Sequence, residues 1–175
     1  RLLNMFEDAI VTVLLPKAIA RPVEEVVALT GRAVRVSTFL TLLCIIPLML
    51  LCPVLLSLLY GSEFMGAVPV FRILLIEIMF NGMTWVLAQA FMASGQPGTV
   101  TLLQGVGLGL TVPLMLVLIP KYQLVGAGLS LLCSTLARFV FILVSFPLVL
   151  KISPPRLLIT REDWRYLKQI IPSNT

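Results

Sequence analysis

Residues 37–59 read STFLTLLCIIPLMLLCPVLLSLL and contain no charged side chain. A hydrocarbon layer about 30 Å thick is crossed by roughly 20 apolar residues in a helix, so this stretch alone predicts a transmembrane span. Working outward, three more runs of similar character follow, over 68–92 (opening VPVFRILLIEIMF), 99–119 and 125–150. Turn or stop signals separate them at Tyr60-Gly61-Ser62-Glu63, Gly95-Gln96-Pro97-Gly98 and Pro120-Lys121-Tyr122. A weaker run over 2–20 carries Asn4, Glu7 and Asp8 and predicts a leading helix.

Composition agrees with a lipid-facing chain. Of 175 residues 59% are hydrophobic and 12% charged, with a mean hydropathy of +1.05, whereas a soluble domain keeps about a quarter of its residues charged. A secreted disulfide scaffold, a disordered tail and an ordinary cytosolic enzyme are excluded on that ground. Cys44, Cys52 and Cys133 sit inside apolar runs in no CxxC spacing, as packing thiols do, and no metal site or cofactor is expected. Arg1 is followed by a half-apolar segment with acids, unlike a signal peptide, and the chain reads as a piece of something longer.

Two flanking segments predict helices at the membrane surface. Between 22 and 36, Pro22 opens a helix with Glu24 and Glu25 in its first turn. After Pro154-Pro155, Thr160 with Asp163 suggests an N-cap, followed by Trp164, Arg165, Tyr166 and Lys168. The expected fold is therefore all-α: a polytopic membrane bundle of four clear transmembrane helices plus a leading helix, with interfacial amphipathic helices. Residues 1–151 form the membrane-embedded part and 152–175 a basic tail.

Charge placement supplies an independent check. Lys17, Arg21, Arg32 and Arg35 precede the first clear span, and Lys151, Arg156, Arg161, Arg165 and Lys168 follow the fourth. An even number of spans puts both blocks on one side, which the positive-inside rule makes the cytoplasm. The net charge of +5 then reflects orientation and anionic headgroups, with no need for a nucleic-acid partner.

Polar residues at membrane depth are the functional clue, because charges there face a bundle interior or a water-filled cavity. Glu77, Asn81 and Thr84 share one helical arc, as do Ser134, Arg138 and Ser145, while Thr101, Gln104 and Thr111 form a broader one and Asn4, Glu7, Asp8 and Thr12 a broader one still. One reading has these stripes face a common hydrated cavity; the other pairs Glu77 with Arg138 as a buried structural ion pair. Pro47, Pro53, Pro113 and Pro147 are candidate hinges, since proline removes a helix hydrogen bond. Gly105 and Gly109 make a Gly-x-x-x-Gly pair suited to close helix packing, with Gly107 between them.

Chemistry is not expected of this segment. With no histidine, Ser-His-Asp and Cys-His arrangements cannot be built within it, and no Gly-Lys-Ser/Thr phosphate loop is present. The adjacent acids Glu7-Asp8 and Glu24-Glu25 point about 100° apart on a helix and make poor acid/base couples.

The strings LLSLLYGSEFMGAVPVFRILLIE (55–77), VLAQAFMASGQPG (86–98) and LIPKYQLVGAGLSLLCSTLARF (118–139), with TVLLPKAIA before them, resemble the C-terminal half of polysaccharide-biosynthesis flippases of the multidrug/oligosaccharidyl-lipid/polysaccharide exporter superfamily. The resemblance spans about 12–151. It rests on the order of three short turns: Tyr60, Gly61, Phe64 and Ala67; Ala93 to Gly95; and Pro120, Gly126 and Ala127. It implies an all-helical transporter of two six-helix lobes, this chain being most of the second, with the N-terminal lobe as its missing partner. Such proteins move lipid-linked oligosaccharide, typically on undecaprenyl diphosphate, from the cytoplasmic to the outer leaflet of the bacterial inner membrane. A cationic cavity between the lobes suits the diphosphate, and Arg138 and Arg72 are the candidates to supply it here. Contact with a polysaccharide polymerase and chain-length regulator is a further implication. The alternatives are a cation-coupled multidrug antiporter of the same superfamily, in which Glu77 or Asp8 would bind Na+ or protons, a membrane-embedded enzyme of the pathway, and a non-transporting membrane scaffold.

Overall fold

The computed structural model describes residues 22–155, and these are all-helical, without a strand among them. Helix α1 spans Val23–Tyr60, a 3-10 turn Ser62–Ala67, α2 Val68–Ala93 and α3 Pro97–Ser145, and a π-helical turn Phe146–Leu150 closes the order. The leading run 2–20, with Glu7 and Asp8, and the tail beyond Pro155 lie outside the described residues.

Glycine sets two of the turns. Gly61 ends α1 at φ 90°. Gly95 follows α2 at φ 74°, its N–H bonding to the Met92 carbonyl while Gln96 N–H reaches the Phe91 carbonyl at 2.8 Å. This is a Schellman closure, which needs a left-handed residue that glycine adopts without strain.

Helix α1 corrects one expectation. Residues 22–36 do not form a separate helix at the surface but the first turns of α1, which continues unbroken into the apolar run. Val26, Thr30 and Val34 are at most 1% exposed, and Ser37, Thr41 and Ile45 carry the same stripe onward. Nothing between Arg35 and Ser37 stops a helix, and the repeat of three and four residues crosses that boundary in register.

Helix α3 is two arms. Gln123 has φ 49° and ψ −124°, the geometry of the first central residue of a type II′ turn, and the chain doubles back there. Partner numbers fall as first-arm numbers rise: Gly107 meets Arg138, Thr111 meets Ser134 and Leu118 meets Gly126. The arms 97–122 and 124–145 are therefore antiparallel. Helix α2 runs parallel to the second arm, since Val70 meets Gly128, Glu77 meets Thr135, Asn81 meets Arg138 and Phe91 meets Phe146. The expected break at Pro120-Lys121-Tyr122 thus lies within three residues of the observed reversal.

The bundle is apolar outside and partly polar inside. Its core, near the start of α1 and the end of α2, joins Val26, Val34, Leu87, Phe91, Leu103, Ile142 and Phe146, with Phe91 and Phe146 edge-to-face at 4.9 Å. Thr30, Ser130, Ser134 and Thr135 are buried, while Leu50 is 72% and Leu58 79% exposed. Two helices, Val23–Tyr60 and Pro97–Leu150, are long and apolar enough to cross a membrane, with only 11% of the apolar window of each buried. The core helix of a soluble protein would be mostly buried, and so broad an exposed apolar surface calls for lipid or protein cover.

The proline candidates do not mark the sharp bend. Helix α1 continues through Pro47 and Pro53, Pro113 lies inside the first arm of α3, and Pro147 falls in the π-helical turn rather than within an α-helix.

Candidate functional site

Three helical segments bring polar side chains to one point. Asn81 lies midway along α2, Gln104 stands two turns into the first arm of α3 and Arg138 two turns before the end of the second. The Arg138 guanidinium donates from Nη2 to Asn81 Oδ1 at 3.0 Å and to Thr135 Oγ1 at 3.1 Å. Its Nη1 donates to Gln104 Oε1 at 3.2 Å. Thr135 passes its own proton to Glu77 Oε1 at 2.7 Å. Glu77 and Arg138, which the sequence reading left open as an ion pair, are thus joined through a hydroxyl.

Neutral acceptors take most of the cation's donors. A guanidinium has five N–H groups; three are engaged here, and Nε is buried without a hydrogen-bond partner. An arginine held this way keeps its charge and part of its fork for a further acceptor, and an anionic oxygen would be bound by charge-assisted bonds. Gln104 is exposed and Arg138 partly so, which opens the cluster to the outside of the bundle beside the first arm of α3.

A hydroxyl pair continues the network inward. Ser134 Oγ donates to the Gly107 carbonyl at 2.8 Å. Thr111 Oγ1 lies 2.8 Å from that carbonyl and 2.7 Å from Ser134 Oγ, with one proton to give. Hydroxyls that satisfy one another in this way cross-link helices where water is scarce.

Of the residues singled out in the sequence, Arg138, Asn81, Gln104 and Glu77 come together. Arg72 does not: it is exposed near the start of α2, more than a turn from Glu77. Thr84, Ser145 and Thr101 bond back to their own helices, to the Phe80, Phe141 and Pro97 carbonyls. The Gly105 and Gly109 pair meets nothing within 4 Å, whereas Gly107 between them lies against Arg138. Sequence reasoning missed Thr135, although it stands three residues before Arg138 and so on the same helix face. None of three cavities bounded by described residues is lined by this cluster; they lie against the 3-10 turn, along the last turns of the first arm of α3, and beside the first turns of α1.

Comparison with protein-family models, with curated proteins and with solved structures returns no match for this chain.

Proposed function

We propose that this chain is part of a membrane flippase that moves lipid-linked oligosaccharide, of the undecaprenyl-diphosphate type, across the bacterial cytoplasmic membrane by alternating access. The single observation that supports it best is Arg138, held between α2 and both arms of α3 by Asn81, Gln104 and Thr135 with Nε unpartnered. A charge at that depth is costly and is typically kept for a substrate path or a structural partner. The spare donors suit a phosphate oxygen better than a partner already satisfied.

In this reading the bundle crosses the membrane four times: the apolar part of α1, α2, and the two arms of α3. Gly61 and Gln123 then face outward, and Gln96, Lys151 and the basic start of α1 face the cytoplasm, in keeping with the charge distribution. The N-terminal lobe would face the exposed Gln104 and form the cavity there together with this bundle.

A structural role has one observation in its favour, the closed chain from Arg138 through Thr135 to Glu77. Complementation separates the two. In a strain lacking its own repeat-unit flippase, the full-length gene carrying Arg138→Ala is scored for surface polysaccharide and for membrane level of the protein. Lost polymer at normal protein level is the expected result. Normal polymer in that variant, and in a double variant with apolar residues at 77 and 138, would leave the cluster as packing alone.

A further inference from the structure

The first turns of α1 and the chain leaving the π-helical turn bound a cavity of about 440 Å³ at the edge of the bundle core, to which Val27 and Ile152 also belong. Ala28, Arg32 and Arg35 follow at four and three residues and so share one helix face. Opposite them, Ile152 to Pro155 fold back, and Pro155 seats on Gly31 so closely that a methyl group there would lie 2.7 Å from its Cβ. The charged residues lining the cavity are Arg32, Arg35 and a single acid, Glu24. Val27, Ala28 and Ile152 give it an apolar side.

Depth identifies what would meet it. The predicted span opens at Ser37, so at 1.5 Å per residue Arg35 stands about 3 Å and Arg32 about 8 Å before its first residue. That is the level of lipid phosphates. Two guanidinium forks beside an apolar wall match a phosphate that carries hydrocarbon, and basic pockets of this kind at the cytoplasmic ends of membrane helices bind anionic headgroups.

We propose that this cavity binds the phosphate of an anionic phospholipid headgroup, clasped by Arg32 and Arg35, with the glycerol and first acyl carbons over Val27, Ala28 and Ile152. The site rests on the membrane-spanning reading and is independent of what the chain transports.

The test uses the full chain in detergent, titrated with dioctanoyl phosphatidylglycerol, dioctanoyl phosphatidylcholine and inorganic phosphate. Phosphatidylglycerol is expected to bind saturably and more tightly than either of the others. Arg32→Gln and Arg35→Gln should each weaken it about five-fold, the ratio corresponding to roughly 1 kcal/mol per basic residue at an anionic surface. Glu24→Gln, in an exposed first turn, should tighten it by about two- to five-fold on the same basis, which keeps the proposal testable if an arginine variant fails to fold. Equal binding of both lipids, equal binding of inorganic phosphate, or isotherms unmoved by the three substitutions would each overturn it.

Discussion

Gly107 and Arg138 fit together as seat and occupant: a methyl group on Gly107 would lie 2.3 Å from Arg138 Cδ and 3.0 Å from its Nε. The arginine stem therefore crosses the first arm of α3 where that arm has no side chain, and this sets the reach of the guanidinium toward Asn81 and Gln104. Gly107→Ala should push Arg138 aside and, on the proposed flippase function, abolish polymer export about as fully as Arg138→Ala, with the protein still inserted. Gly105→Ala and Gly109→Ala, which meet nothing within 4 Å, should leave export and stability unchanged. Complementation alongside membrane protein level checks all three.

Thr135 both accepts from Arg138 and donates to Glu77, so removing it leaves Glu77 without its hydroxyl donor and one Arg138 N–H without an acceptor. Thr135→Val should cost about 1–3 kcal/mol, the penalty for leaving half-buried partners unsatisfied, while Thr135→Ser should retain most of the stability. A double-mutant cycle with Arg138→Met, read by unfolding in detergent, should give a coupling of about 0.5–3 kcal/mol. Strict additivity would mean that the bridge carries no energy.

The reversal at Gln123 places a non-glycine residue at φ 49°, ψ −124°, where a Cβ is crowded and glycine is at ease. Gln123→Gly should stabilise the protein by about 1 kcal/mol, the low end of the strain such positions store. Gln123→Val should destabilise it. Melting temperatures of the two variants in one detergent decide the matter.

Close backbone contact at the same end makes Gly126 unforgiving. A methyl group there would sit 2.2 Å from the Leu118 carbonyl oxygen, and a backbone atom cannot swing away as a side chain does. Gly126→Ala should cost about 1–3 kcal/mol through forced separation of the arms. Gly128→Ala, whose nearest contacts are at 3.4 Å, should cost distinctly less in the same unfolding assay.

The order of the proposed membrane crossings is open to chemical labelling. Cysteines introduced singly at Ser62 and Gln123 should react with an impermeant maleimide in intact cells, and cysteines at Gln96 and Lys151 only after permeabilisation. Labelling of Gln123 and Gln96 from the same side would refute the division of α3 into two spans.

The helical class, the apolar exterior and the turns at Gly61 and Gly95 were legible from residue order, because hydropathy and turn chemistry are local properties. The arc of Glu77 and Asn81 and that of Ser134 and Arg138 were legible for the same reason: helical periodicity assigns a face from spacing alone. What periodicity cannot assign is which faces meet. Pro22 signalled the helix start, but that its first turns bury Val26, Thr30 and Val34 in the core followed from packing against α2 and α3, which no local signal encodes. Only the antiparallel register of the two arms of α3 selected Gly107 over the Gly105 and Gly109 pair, and only the parallel register of α2 with the second arm put Thr135 between Glu77 and Arg138. Those choices depend on distances between residues as many as 58 positions apart, and such distances exist only once the helices have packed.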